Sequence, residues 1–100
     1  MPKRYALYDA ADYLKTPEDV AQYINAVMED GDEKQLLRAL GDAVRATKGM
    51  SQVSQETGLS REALYKALSE GGNPKLSSLF AVLHSVGLEF SVRPVVSRGR

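Results

Sequence analysis

Arg61, Glu62, Tyr65 and Lys66 are the side chains of this sequence best equipped for chemistry with a nucleic acid, and they fall within six consecutive residues. An arginine can present two parallel N–H donors to a guanine edge, a pairing worth about 1–3 kcal/mol of base discrimination. Glu62 could accept from cytosine, or repel phosphate and so set the register. Tyr65 and Lys66 lie one helical turn on, where a base contact or a phosphate clamp fits. Ser51, Gln52, Ser60, Ser69 and Lys75 supply the hydroxyl, amide and ammonium groups that commonly hold phosphate. Two bland readings stand beside these. Arg61 could be an ordinary solvated residue, and Tyr65 could pack against the preceding helix.

Such groups need elements to aim them, and the stretch from Met50 to Ser69 reads as two short helices joined by the turn Gly58-Leu59-Ser60. Gly58 can take the left-handed conformation that ends a helix without steric penalty. Leu59 is the apolar plug of the turn, and Ser60 is a good N-cap for the second helix. Val53 with Ser54 forms a small inner face before the turn. Leu64, Ala67 and Leu68 then recur at the spacing of a buried stripe, leaving Arg61, Glu62, Tyr65, Lys66 and Ser69 on the other side. A short helix with that division is what a DNA-reading helix-turn-helix requires. Ser54 stands where such motifs usually carry Ala, and Thr57 where an apolar residue is common. The same pattern would also suit a purely structural three-helix unit.

The bulk numbers bound the class. One hundred residues, 43% apolar and 26% charged, describe an ordinary soluble domain with at most an appendage. The absence of cysteine excludes disulfides and thiolate metal sites. No apolar run approaches the roughly 20 residues of a membrane span. The opening Met-Pro-Lys-Arg-Tyr-Ala-Leu-Tyr-Asp lacks a signal-peptide core, so the cytoplasm is the expected compartment. Net charge is zero, but unevenly spread: residues 1–47 carry nine acids against six bases, and residues 48–100 carry seven bases against four acids. The basic half holds the proposed reading helix.

Taken in order, the chain predicts an all-α domain of five helices with one short strand. Residues 1–31 form an N-terminal extension and helix, 32–93 the DNA-binding domain, and 94–100 a flexible basic tail. Thr16-Pro17-Glu18-Asp19 is a capped helix start, followed by Val20, Ile24, Val27 and Met28 at helical spacing. Asp32 caps a second helix faced by Leu36, Leu37, Leu40 and Val44, and Lys48-Gly49 ends it. The motif helices run from about Ser51 to Thr57 and from Ser60 to Glu70. Gly71-Gly72-Asn73-Pro74 must be a loop. Ser77 is expected to cap the last helix, with Leu79, Val82, Leu83 and Val86 on one face. Leu88, Phe90 and Val92 then alternate with Glu89, Ser91 and Arg93 as in a half-buried strand. A lone strand leaves its backbone groups unpaired. It must pair with the Arg4–Asp9 stretch, with a partner protein, or with the same strand of a second chain, and the last is favoured. A homodimer would also set two motifs against two half-sites about one helical turn apart. If Lys48, Arg61, Lys66 and Lys75 neutralise phosphate in both copies, binding has a log–log salt slope of roughly −7 as an upper bound.

Beyond these patterns, the runs Ala39-Leu40-Gly41-Asp42-Ala43-Val44-Arg45-Ala46, Gly49-Met50, Thr57-Gly58-Leu59-Ser60-Arg61, Leu64-Tyr65-Lys66-Ala67-Leu68-Ser69 and Gly72-Asn73-Pro74 closely resemble the addiction-module antidote proteins of bacteria. These are small antitoxins related to the HigA type. The resemblance reaches upstream to Asp9-Ala10-Ala11-Asp12-Tyr13-Leu14 and downstream from Leu83 through Val92. It implies a phage-repressor-type helical domain encoded beside a small toxin, binding to that toxin, and repression of the shared promoter. The toxin-neutralising role is an implication of the resemblance alone.

Two functions therefore stand: an antitoxin that also represses its operon, and a stand-alone repressor with no toxin partner. A stand-alone repressor leaves residues 1–30 without a task. An antitoxin could use that tyrosine-rich, acidic third, through Tyr5, Tyr8 and Tyr13, or the exposed face of its helix, to cover a basic toxin. Enzymatic readings fare poorly. His84 is the single histidine, in the last helix between Leu83 and Ser85. The Glu29-Asp30-Asp32-Glu33 cluster lacks the alternation of a calcium loop and suits helix-end capping. Gly71-Gly72 follows a helix and lacks the Lys-Ser/Thr ending of a phosphate loop. No catalysis, cofactor or metal is expected.

Overall fold

The computed structural model of the protein describes residues 14–96. Five α-helices form among the described residues: α1 Pro17–Asp30, α2 Glu33–Thr47, α3 Met50–Thr57, α4 Arg61–Ala67 and α5 Leu76–Ser85. Local sequence explains most of the boundaries. The Thr16 hydroxyl accepts from the Asp19 N–H at 3.1 Å while the Asp19 carboxylate accepts from the Thr16 N–H, closing a capping box around Pro17. Asp32 accepts from the Gln35 N–H at 3.0 Å and starts α2 the same way. Gly31 ends α1 by donating to the Val27 carbonyl, and Lys48 ends α2 by donating to that of Val44.

The core lies where α1 and α2 pack together and where α3 packs on α4 and α5. Val20 and Ile24 of α1 meet Leu40, Ala43 and Val44 of α2 in one cluster, which continues through Met50, Val53, Leu64, Val82 and Val86. The expected stripes are thus the buried ones, with five exceptions: Val27, Leu36 and Leu79 are half-buried at the edge of the core. Met28 faces solvent at the end of α1, and Ala67 is only half-buried.

Three expectations need correction. α4 ends at Ala67 rather than near Glu70. The Ser69 hydroxyl donates to the Lys66 carbonyl at 2.9 Å, and Gly72 folds back so closely that a Cβ there would collide with the Ala67 carbonyl. The Ser69 bond takes up the Lys66 carbonyl, and the close return of Gly72 turns the chain away from the helix axis. α5 begins at Leu76 with Lys75 as the N-cap residue, so Ser77 lies inside the helix and does not cap it. Its first backbone bond runs from the Leu79 N–H to the Lys75 carbonyl at 3.1 Å. Finally, Leu88–Val92 is not a strand, and no strand forms among the described residues. The Leu88 N–H is taken by the Leu83 carbonyl at 2.8 Å, and residues 89–96 make no backbone–backbone hydrogen bond there. A strand exists only by pairing, and no second extended segment lies beside it among the described residues. The Arg4–Asp9 stretch lies outside them.

Candidate nucleic-acid interface

The site is built on α4. Ser60 holds extended backbone and its hydroxyl accepts from the Ala63 N–H at 3.0 Å, which starts the helix at Arg61. Leu64 is 0% exposed and sets the rotation of the helix about its axis. Arg61, Glu62, Tyr65 and Lys66 are consequently all exposed. Tyr65 keeps 48% of its surface in solvent. Arg61 and Lys66 form no ion pair among the described residues, nor does the exposed Lys75 ahead of α5. Among the described residues, three cations are therefore without an ion pair on and just beyond this helix.

The turn behind α4 is fastened by the two residues that depart from the usual apolar pattern. Gly58 has φ +80° and donates to the Ser54 carbonyl at 3.0 Å, a left-handed cap that a side chain would strain. The Ser54 hydroxyl donates to the Leu59 carbonyl at 2.5 Å. The Thr57 hydroxyl donates to the Val53 carbonyl at 2.7 Å and accepts from the Leu59 N–H at 3.2 Å. Both peptide groups of Leu59 are thus satisfied while its side chain packs partly on the core. An apolar residue at either position would leave a half-buried backbone group without that partner.

Residues 4–94 of the chain match the family described as "Probable addiction module antidote protein". The chain belongs to that family. It is also 38% identical over 86 residues to an uncharacterized protein of Haemophilus influenzae, covering 86% of this chain and 88% of that relative. No solved structure matches it. An antidote family implies a cognate toxin as partner.

The structure of this antidote-family chain also holds a polar cluster that the sequence did not reveal. Glu56 on α3 accepts from Lys48 Nζ at 2.8 Å, from the Ser85 hydroxyl at 2.6 Å and from Gln52 Nε2 at 3.0 Å. One carboxylate thereby ties the end of α2, α3 and the buried Ser85 of α5 together. These hydrogen bonds, Lys48 first, then Ser85 and Gln52, hold its pKa down from 4.5 to about 2. The Gln52–Glu56 spacing of four residues hinted at one bond, but nothing in the sequence placed Ser85 or Lys48 beside Glu56.

That cluster revises the candidate list. Lys48 is engaged with Glu56 and is not a free phosphate ligand in this structure, and the Gln52 amide is held by the same carboxylate. The Ser69 hydroxyl is spent on the Lys66 carbonyl. Ser51 is exposed at the start of α3. Tyr5, Tyr8 and Tyr13 lie outside the described residues. Among those described, no group of His, Asp or Glu side chains could hold a metal ion. Asp32 of the acidic run is occupied in capping α2. No helix is long and apolar enough to cross a membrane.

Proposed function

We propose that this antidote-family chain is the antitoxin of a type II toxin–antitoxin module of the HigA kind. It binds and neutralises a small toxin protein. As a homodimer it represses its own operon, with α3, the Gly58–Ser60 turn and α4 acting as a phage-repressor-type helix-turn-helix. The observation that carries the DNA-binding part is the division of α4. A fully buried Leu64 locks the helix, while Arg61, Tyr65 and Lys66 stand in solvent without ion-pair partners among the described residues.

In this reading the first turn of α4 enters the major groove. Arg61 pairs with guanine O6 and N7, and Glu62 accepts from cytosine or holds off phosphate. Tyr65 and Lys66 follow one turn deeper. Ser51, Ser60 and Lys75 contact the backbone from the two sides of the groove. Gln52, whose Nε2 donates to Glu56, and Ser69, whose hydroxyl donates to the Lys66 carbonyl, hold α3 and the end of α4. The acidic N-terminal third, with Tyr5, Tyr8 and Tyr13, covers the toxin. The protein works in the cytoplasm without catalysis or cofactor.

Co-expression of the tagged chain with its two neighbouring genes tests the antitoxin half. A stoichiometric small basic protein that co-purifies supports it. A clean homodimer with both neighbours demonstrably expressed leaves a stand-alone repressor as the better account. Arg61→Ala tests the reading helix: it should weaken binding to the operator far more than to random DNA. Equal losses on both would reduce Arg61 to a phosphate contact.

A further inference from the structure

The segment from Leu88 to Pro94 leaves α5 with an apolar side and, among the described residues, no partner for the backbone of residues 89–94. Leu88 packs partly on the core, and the Phe90 ring meets Phe80 of α5 edge-on at a centroid distance of 4.7 Å. Phe80 and Phe90 remain about half exposed, and Val92 is 94% exposed. The N–H and C=O groups of residues 89–93 make no backbone–backbone bond among the described residues. A covering group must therefore offer apolar side chains and a row of backbone donors and acceptors together.

We infer that this covering group is the same segment of a second copy of this chain, paired antiparallel about Ser91. The sequence of the segment is complementary to its own reverse. With Ser91 opposite Ser91, Glu89 of each copy faces Arg93 of the other, and Phe90 faces Val92. Directly opposed residues share a face of the sheet. Phe90 and Val92 of both copies therefore line one side, over Phe80, and the two Glu89–Arg93 ion pairs line the other. No other in-register centre within 88–94 brings both charges opposite each other.

Pro94 selects the phase of the ladder. In an antiparallel pair, alternate residue pairs exchange two backbone hydrogen bonds and the pairs between them exchange none. Pro94 has no N–H. Placed opposite Leu88, it needs a non-bonded position, and that makes the Ser91 pair and the two Glu89–Arg93 pairs the bonded ones. The Leu88 N–H, already given to Leu83, is not required either. The Phe90–Val92 pairs then fall at the closer, non-bonded positions, where side chains pack best. The pairing deepens the homodimer of the proposed function and identifies which surface forms it.

Cysteine scanning of the full-length chain tests the register, because the native sequence has no cysteine. In the inferred pairing the two Ser91 Cα atoms lie about 5.5 Å apart, within disulfide reach. Two Glu89 residues lie four positions apart along the ladder, about 13 Å, beyond the roughly 7 Å limit. Mild oxidation should therefore convert S91C to a covalent dimer and leave E89C alone uncrosslinked, while an equimolar mixture of E89C and R93C crosslinks. Sedimentation equilibrium should show E89R dimerising about tenfold more weakly, with the E89R/R93E double variant restored. All of these positions are exposed, and unchanged helical circular dichroism confirms the fold of each variant. A monomeric wild-type chain, a dimer indifferent to E89R, or E89C crosslinking as readily as S91C would overturn the pairing. Toxin capture and operator binding are read separately on the wild-type chain, so crosslinking through Ser91 can succeed where the antitoxin reading fails, and the reverse.

Discussion

The salt dependence of operator binding follows from which cations the fold leaves free. Each phosphate neutralised on B-DNA contributes about −0.9 to the slope of log K against log salt. Counting by sequence, four cations per copy set the slope at roughly −7. In the structure Lys48 is held by Glu56 at 2.8 Å, whereas Arg61, Lys66 and Lys75 are exposed and unpaired among the described residues. A homodimer then offers six cations rather than eight, and the slope should be no steeper than about −5, a loss of about a thousandfold in affinity between 50 and 200 mM salt. Fluorescence anisotropy on a labelled fragment of the chain's own promoter measures it. Lys66→Ala removes one phosphate contact per copy and should make the slope shallower by about 1.8, while Lys48→Ala should leave it unchanged. A wild-type slope near −7 that falls with Lys48→Ala would refute the reasoning, because it would mean that Lys48 leaves Glu56 for a phosphate on binding. A slope indifferent to Lys66→Ala would remove α4 from the phosphate contacts.

Three stability predictions follow from the packing around the same helix. Leu64→Ala empties the fully buried anchor of α4 and should cost about 3 kcal/mol, lowering Tm by roughly 15 °C; a loss below about 1 kcal/mol in urea unfolding would show that the site collapses freely. Ser54→Ala should cost about 1 kcal/mol, although alanine is the usual residue there in such motifs, because the Leu59 carbonyl loses its 2.5 Å donor; a neutral variant would mean that water replaces the hydroxyl. The Glu56 carboxylate has its folded pKa depressed to about 2, so its contribution is present in full above 4.5 and is lost as pH falls toward 2. Wild type should therefore exceed Glu56→Gln in stability at pH 6, with the gap closing between pH 4.5 and 2; a constant gap across that window would separate the effect from the charge.

Much of the fold is written locally. Thr16-Pro17-Glu18-Asp19, Asp32 with Gln35, Gly58 and Ser60 each act through hydrogen bonds or dihedral freedom within four residues, so their caps and turns could be read without a partner. The apolar spacing around Leu64 likewise assigned Arg61, Glu62, Tyr65 and Lys66 to the outside of α4. Tertiary packing decided the rest. Whether Lys48 and Gln52 are free depends on Glu56, and the position of Glu56 depends on Ser85, 29 residues away on another helix. The end of α4 depends on how closely Gly72 returns to the Ala67 carbonyl. The alternation over Leu88–Val92 is a property of the sequence, but a strand is a property of two segments. Periodicity states which side of an element is apolar; hydrogen bonds between elements distant in the chain decide which polar groups remain for a partner.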